Sequence, residues 1–204
     1  MKTRESGMPE ENLWVTFFTP EEVLHKLGLP TAGDVVDFGC GYGTFTIPAA
    51  KITSGIVHAL DIDPEMVAAT KAAGLPNVRV SCRDFVADGT GLPDGNVDYA
   101  MLFNILHAEC PDRLLQEAYR VLVAGGKLGI IHWNYDPATP RGPTMAIRPR
   151  PEKCQGWAES VGFSLLAPGI IDLPPYHYGM VLKRTTGQAG SQKNAHKAAA
   201  LPTR

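Results

Sequence analysis

The chain has 204 residues, of which 44% are hydrophobic and 20% are charged, with a formal net charge of −2. This length suits one α/β domain with a single core and is short for two ordinary domains. No apolar run approaches the roughly 20 residues of a membrane span, and the charge offers no general attraction to nucleic acid. The four cysteines are widely spaced and the start of the chain lacks the apolar core of a signal peptide, so we expect a soluble cytoplasmic protein with reduced thiols.

An aromatic cluster precedes the first predicted helix. Trp14, Phe17 and Phe18 suit either a lid over a site or a hydrophobic staple for that helix. The segment Thr19-Pro20-Glu21-Glu22 puts a hydroxyl at a cap position, proline at the first helical position and glutamate three residues after the cap. This pattern predicts a helix that runs to about Leu27.

Strands and helices then alternate along the chain. Short β-branched runs predict strands, and amphipathic runs that begin with proline or a capping aspartate predict helices. The predicted strands cover residues 34–38, 55–61, 78–82, 97–103 and 127–133, and the predicted helices cover 44–51, 63–73, 111–122 and 151–161. Such alternation favours a parallel, doubly wound sheet.

The pattern changes after residue 162. Two strand-like runs, residues 163–173 and 176–183, are joined by Pro174-Pro175, and this short link predicts an antiparallel pair. From Thr185 onward, Leu201 is the one large apolar residue, so this segment cannot bury enough surface to offset its ordering entropy. The chain is therefore divided into an N-terminal cap segment and helix at 1–30, a cofactor-binding domain at 31–184 and a disordered tail at 185–204.

A glycine-rich turn follows the first strand. Gly39, Gly41 and Gly43 stand at alternate positions, where the backbone must turn sharply and approach a ligand closely. Asp37, on the strand before the turn, would repel a pyrophosphate but attract an ammonium group. Asp61 ends the second strand, where a carboxylate can accept hydrogen bonds from a ribose diol. An amino acid, a ribose and an adenine base together describe S-adenosylmethionine.

Two other functions compete with this interpretation. A nicotinamide-dependent oxidoreductase would need a third glycine where this chain has Thr44, and Asp37 and the antiparallel end of the sheet also argue against it. The second alternative is a noncatalytic binding protein that keeps the same fold, because a fold does not fix activity.

Four segments resemble the ordered motifs of class I S-adenosylmethionine-dependent methyltransferases. They are VVDFGCGYGTF, HALDIDPEMV, RDF followed by LPDGNVDYAML, and LVAGGKLGII, and they span most of residues 34–133. Within that superfamily the chain is most similar to small-molecule enzymes such as the ubiquinone and menaquinone biosynthesis C-methyltransferases. The resemblance implies a single-domain Rossmann-like α/β fold, with seven strands and an antiparallel C-terminal hairpin, S-adenosylmethionine as cofactor and a small-molecule acceptor.

The resemblance also assigns roles to residues of the cofactor site. It implies that the three glycines lie along the methionine moiety, Asp37 serves its ammonium and Asp61 takes the ribose hydroxyls. Asp84 with Phe85 would face the adenine, and Asn104 would line the methionine and methyl side. The predicted cofactor-binding residues are Asp37, Gly39, Cys40, Gly41, Gly43, Asp61, Ile62, Asp84, Phe85 and Asn104.

Two histidines are candidates for a general base. His107 follows the fourth strand and His132 lies at the end of the fifth, and the carboxyl ends of such strands face the ligand crevice. Capping of the next helix is the alternative role for His107. Cys110 stands three residues after His107, but nothing nearby completes a ligand set, so no metal is expected.

A proline-rich basic loop follows the fifth strand. Arg141, Arg148 and Arg150 suit either a clamp for an anionic acceptor or ordinary solvated loop charge. No residue pattern identifies the acceptor, the methylated atom or the oligomeric state.

Overall fold

The computed structural model describes residues 14–17 and 19–185. One mixed sheet runs through its centre, with strands β1 (Val35–Phe38), β2 (Val57–Asp61), β3 (Val78–Cys82), β4 (Val97–Phe103), β5 (Leu122–Trp133), β6 (Phe163–Leu165), β7 (Ile171–Leu173) and β8 (His177–Arg184). The helices are α1 (Pro20–Lys26), α2 (Thr46–Ile52), α3 (Pro64–Ala72), α4 (Pro111–Val121) and α5 (Pro151–Val161), preceded by a 3-10 turn at Val15–Phe17.

The strand order explains how the sheet positions a site. Neighbouring strands follow the order β3-β2-β1-β4-β5-β8-β6, and β7 also pairs with β8. The first five strands are parallel, whereas β8 is antiparallel to its neighbours. The predicted doubly wound α/β sheet with an antiparallel end is therefore confirmed.

The strand count differs from the seven that were predicted. The run at 163–173 is not one strand but two, β6 and β7, and both pair with β8. Pro168 lies between them and has no N–H to donate to the ladder. Gly169 follows with a φ of +95°, which turns the chain between the two pieces.

Local sequence signals account for the helix starts. Proline occupies the first turn of α1, α3, α4 and α5, where its missing N–H costs nothing. Asp63 caps α3 by accepting a hydrogen bond of 2.8 Å from the Glu65 amide. The predicted capping box at Thr19 is wrong in one respect, because α1 begins there but the Thr19 side chain makes no capping hydrogen bond.

The sheet separates two apolar cores. Successive strand residues point to opposite faces, so Val35 packs into one core and Val36 into the other. Helices α1 and α2 cover the first face and α4 and α5 cover the second. On the first face the Tyr99 hydroxyl donates a buried hydrogen bond of 2.8 Å to the Leu27 carbonyl, which ties the end of α1 to β4.

Some predictions fall on parts of the chain that lie outside the described residues. Phe18 and most of the tail predicted at 185–204 are among them, as are residues 1–13. Within the described ranges, no helix combines the length and apolar character needed to cross a membrane.

Candidate active site

A cavity of about 230 Å³ lies at the carboxyl ends of the parallel strands. Its lining residues follow the spatial order of the sheet, from Phe85 beyond β3 to Asp61 on β2 and Asp37 on β1. The wall continues with Asn104 beyond β4 and Trp133 at the end of β5. Ligands of open α/β sheets bind at this edge, so the cavity is the candidate active site.

The structure brings most of the predicted cofactor residues to this cavity. Those that line it are Asp37, Gly39, Cys40, Gly41, Asp61, Ile62, Asp84, Phe85 and Asn104. Gly43 does not line it. A Cβ at Gly43 would lie 3.0 Å from Ile47 Cδ1 and 3.2 Å from Thr70 Oγ1, so this glycine permits close packing of the turn against its own helix and α3.

The glycine turn is fastened to the end of β2. Gly39 and Gly41 have φ values of +80° and +52°, which suit glycine. The amides of Gly39 and Cys40 donate to the Leu60 carbonyl at 2.8 and 2.9 Å. The amide of Gly41 donates to Asp61 Oδ2 at 2.8 Å. The backbone that would face a ligand is therefore held in place before any ligand binds.

Asp37 is a buried carboxyl group on the cavity wall. It is 3% exposed, and Thr46 Oγ1 donates a hydrogen bond of 2.5 Å to its Oδ2. Burial, opposed by the hydrogen bond from Thr46 and reinforced by the negative charge of Asp61, raises its pKa to about 7. A cationic ligand group would favour the ionised form of Asp37, as the sequence interpretation requires.

Asp61 holds the turn and also faces the cavity. Its Oδ2 accepts from the Gly41 amide, and its Oδ1 accepts from the Asp63 amide at 2.9 Å. Each carboxylate oxygen can accept a further hydrogen bond, so the group remains able to bind ligand hydroxyls. The contact of Asp61 with Gly41 was not predicted, because no sequence signal links two residues that are 20 positions apart.

The conformation and side chain of Asn104 are the strongest structural indication of a ligand site. Its φ is +55°, an uncommon conformation that asparagine tolerates better than most residues. Both polar atoms of its amide are buried and have no hydrogen-bond partner among the described residues. Buried amides are nearly always satisfied in native proteins, so this side chain is suited to bind a polar ligand in the cavity.

The far end of the cavity is formed by the turn after β3. Asp84 Oδ1 accepts hydrogen bonds from the amides of Val86 at 3.2 Å and Ala87 at 3.0 Å, which shapes the turn. Phe85 is buried and packs edge-on against Phe38, with ring centroids 5.6 Å apart. This end therefore combines a carboxylate with an aromatic surface.

Cys40 lines the cavity but is not an activated thiol. Burial raises its pKa to about 12, and the negative charge of Asp37 adds to this effect. Thr70 Oγ1 donates to its sulfur at 3.6 Å. The protonated side chain is a poor nucleophile and contributes to packing.

The two candidate histidines are in contact, but only His107 reaches the cavity. His107 Nδ1 lies 3.3 Å from Nε2 of His132, which is fully buried behind it. Burial lowers the pKa of His107 to about 4, helped by the positive charge of Arg148, and burial also lowers the pKa of His132. Both rings are neutral at pH 7. This geometry does not support the predicted role of His132 as a base that contacts the acceptor.

Within the part of the chain that the structure describes, no group of three or more histidine, cysteine, aspartate or glutamate side chains is arranged to hold a metal ion.

Aromatic side chains form the wall at the β4–β5 end. Trp14 and Trp133 both line the cavity, with ring centroids 6.0 Å apart. Phe103 also lines it and packs edge-on against Phe45 at 4.9 Å. Phe17 packs on the Trp133 ring at 5.6 Å. Of the two roles considered for the N-terminal aromatics, this placement of Trp14 supports the lid.

Arg148 holds the basic loop together from inside. Its guanidinium donates to the carbonyls of Asn134, Asp136, Arg141 and Pro143 and to Thr139 Oγ1. These bonds occupy all five of its N–H donors. Arg150 lies 3.8 Å above the Tyr135 ring. Of the two roles considered for Arg141, Arg148 and Arg150, the anion clamp has no support in this geometry, because none of the three lines the cavity.

Comparison with known proteins agrees with the geometry. Residues 35–126 match the profile of a methyltransferase domain. The crystal structure of a SAM-dependent methyltransferase from Aquifex aeolicus has a TM-score of 0.75 and 26% identity, covering 84% of this chain and 92% of that one. The aklanonic acid methyltransferase of Streptomyces sp. strain C5 is 38% identical over 105 residues, 48% of this chain and 47% of that enzyme. The ribosomal protein L11 methyltransferase of Methylococcus capsulatus is 47% identical over 72 residues, 35% of this chain and 24% of that enzyme.

The family match covers the first part of the sheet, whereas the structural match extends over most of the chain. The chain spans about half or less of the length of the curated relatives it matches. The matched domain at 35–126 includes β1 to β4, with the glycine turn, Asp61 and Asn104. Residues 35–126 therefore correspond to a methyltransferase domain, and the strand order around them agrees with the fold of S-adenosylmethionine-dependent methyltransferases.

Proposed function

We propose that the protein transfers the methyl group of S-adenosylmethionine to a small-molecule acceptor bound beside His107. The observation that carries this proposal is the unsatisfied, buried amide of Asn104, which lies between the buried carboxyl of Asp37 and the aromatic wall. A polar cofactor that extends from the end of β1 to the end of β4 would supply hydrogen-bond partners for that amide.

The side chains present fit the cofactor. Asp37 would bind its ammonium and Asp61 its ribose hydroxyls, while Gly39, Cys40 and Gly41 would lie along the methionine part. Ile62, Asp84 and Phe85 would bind the adenosine end. When bound, the cofactor supplies an electrophilic methyl group on a positively charged sulfur. The protein's main contribution is then to hold donor and acceptor in line for displacement.

We favour a small acceptor over a macromolecular one on the likeness to a small-molecule enzyme, since the cavity volume of about 230 Å³ does not distinguish the two classes. The names of these two relatives indicate different classes of acceptor, since aklanonic acid is a small molecule and ribosomal protein L11 is a protein. The small-molecule relative matches over the longer part of this chain. The narrower likeness to the quinone C-methyltransferases stays a prediction.

His107 would accept the proton of the acceptor, since it is the histidine that lines the cavity. Its contact with His132 requires that one ring donates and the other accepts. When His107 donates through Nδ1, its Nε2 has a free lone pair. The neutral imidazole can then take a proton as the acceptor is methylated. His132 would act as a positioning residue that fixes the ring and tautomer of His107.

Binding of the cofactor is tested first. Calorimetry with S-adenosylmethionine, S-adenosylhomocysteine and NAD would compare the wild type with Asp61→Ala and Asp61→Asn. We expect both sulfur ligands to bind and NAD not to bind. The affinity for S-adenosylmethionine should fall more in Asp61→Ala than in Asp61→Asn. Alanine has no side-chain hydrogen-bond acceptor, whereas asparagine keeps one acceptor oxygen. Tight binding of NAD alone would overturn the proposal.

Turnover separates an enzyme from a noncatalytic binding protein of the same fold. Release of S-adenosylhomocysteine would be measured against a panel of small phenols, amines and carboxylic acids. With a productive acceptor, His107→Ala should lower kcat by about 10²-fold or more while the affinity for S-adenosylmethionine changes little. If His107→Ala lowered cofactor affinity and turnover equally, His107 would not be the base. If no acceptor gave turnover, the noncatalytic alternative would be favoured.

A further inference from the structure

We propose that the acceptor is an uncharged, planar, largely apolar molecule with one hydroxyl or amine group, which binds against Trp14 and Trp133 with that group directed to His107. This inference rests on the proposed methyl transfer. It names the chemical class of acceptor that the described part of the cavity accommodates.

The cavity has two chemically different ends. Its carboxylates lie at the β1–β3 end, where the cofactor residues are, whereas the β4–β5 end is lined by Phe103 and Trp133 with Trp14 beside them. Ile105 lines the cavity on the side of Gly39, where a Cβ would lie 3.1 Å from its Cδ1, and Ala108 lines it next to His107 in the chain. Because the cofactor residues occupy the first end, the acceptor belongs at the second.

The charges on the wall disfavour an anionic acceptor. The charged side chains that line the cavity are acidic: Asp37, Asp61, Asp63 and Asp84. Across the described ranges no lysine or arginine lines it. Arg148 is close enough to influence His107, but its N–H donors are all engaged by the loop. A carboxylate or phosphate would lose its hydration here without gaining a cationic partner.

The aromatic wall favours a flat molecule. Two indole rings and the Phe103 ring offer broad apolar faces, and aromatic pairs prefer stacked or edge-on contacts at ring separations of about 4.5–7 Å. Besides the carboxylates, the polar side chains that line the cavity are those of Tyr42, Thr44, Asn104 and His107, and His107 alone among these four has a basic ring nitrogen. If Asn104 binds the cofactor, His107 is left to bind one polar group of the acceptor, and its neutral ring suits a neutral hydroxyl or amine.

The chemical step balances without a further reactant. The acceptor oxygen or nitrogen forms a bond to the methyl carbon while the carbon–sulfur bond breaks and its electron pair goes to sulfur. The proton of the hydroxyl or amine passes to His107. The products are the methylated acceptor, uncharged sulfur in S-adenosylhomocysteine and a protonated imidazole that returns its proton to solvent.

A matched pair of probes tests the charge preference. With the protein saturated by S-adenosylhomocysteine at pH 7.5, calorimetry would compare 2-naphthol, which is neutral, with 2-naphthoate, which has the same rings and a negative charge. We expect 2-naphthol to bind at least tenfold more tightly. Equal or tighter binding of 2-naphthoate, or no binding of 2-naphthol, would overturn the inference. Failure of S-adenosylhomocysteine itself to bind would instead overturn the proposed function.

A charge introduced on the same wall provides the second test. Ala108→Lys would place a cation on the cavity wall next to His107 in the chain, and Ala108→Met would add a side chain of similar length without charge. Retained affinity for S-adenosylhomocysteine would show that both variants are folded. We expect the preference for 2-naphthol over 2-naphthoate to fall by tenfold or more in Ala108→Lys and to persist in Ala108→Met. The same ratio in both variants would show that charge at this end does not select the acceptor.

Discussion

Replacement of Asp37 by asparagine should have opposite effects on stability and on cofactor binding. Burial raises the pKa of Asp37 from 3.8 to about 7, so the folded protein retains a proton that the unfolded chain releases. The folded state therefore loses stability as pH rises from about 4 to about 7 and remains less stable above that range. A difference of about three pKa units corresponds to about 4 kcal/mol at pH 8.

Asparagine has a similar shape and no charge to bury. Its amide oxygen can still accept the Thr46 hydroxyl, so the ligand-free Asp37→Asn protein should gain up to about 4 kcal/mol of unfolding free energy at pH 8. At pH 5 the wild-type carboxyl is largely protonated, so the gain should shrink to about 2 kcal/mol or less. Loss of the anion should weaken binding of S-adenosylmethionine by about 10- to 100-fold, corresponding to roughly 1.5–3 kcal/mol.

Urea unfolding at pH 5 and pH 8 would measure the stability of the wild type and the variant, and calorimetry would measure binding. Asp63→Asn is a matched control, because Asp63 also lines the cavity but is exposed, and asparagine is also a good helix cap. We expect the control to gain less unfolding free energy than Asp37→Asn at pH 8, because the Asp63 side chain is exposed. If the gain in Asp37→Asn were the same at both pH values, the Asp37 carboxyl would not titrate in the way described.

Two further predictions concern pH and packing. For a productive acceptor, kcat/KM for S-adenosylmethionine should fall below pH 7, because the cofactor binds ionised Asp37. By contrast, kcat at saturating cofactor should not break near pH 6.5, because burial lowers the pKa of His107 to about 4; a break there in a pH–rate profile would contradict this. Tyr99→Phe should lower the free energy of unfolding by about 1–3 kcal/mol in urea titrations, because it leaves the buried Leu27 carbonyl unpaired, and an unchanged midpoint would show that this carbonyl finds another partner.

Local signals made most of the fold predictable. Proline at helix starts and β-branched runs placed β3, β4 and α5 with the same boundaries as in the structure. The pairing of strands that are far apart in the sequence was harder to predict. Strand β5 begins at Leu122 instead of Lys127, because Leu122 pairs with Val97 across an irregular register.

The cofactor side of the site was more predictable than the acceptor side. Asp37 and Asp61 stand next to short motifs whose geometry is local, so sequence position indicates spatial position. His132 and Arg148 show the limit of this reasoning. A histidine at the end of a strand can face the cavity or the core, and the partners of Arg148 are loop carbonyls that no spacing identifies. Thr46 was also missed as the partner of Asp37, although its place just after the glycine turn was a usable signal.

The position of β8 has a consequence for synthesis of the protein. This strand, the last described in the chain, lies between β5 on one side and β6 and β7 on the other. While the chain emerges from the ribosome, β5 therefore has an open edge until β8 arrives. Open edges of this kind recruit other strands and promote aggregation. A chain that stops before His177 would contain the glycine turn, both key carboxylates and His107, yet we expect it to accumulate as insoluble material.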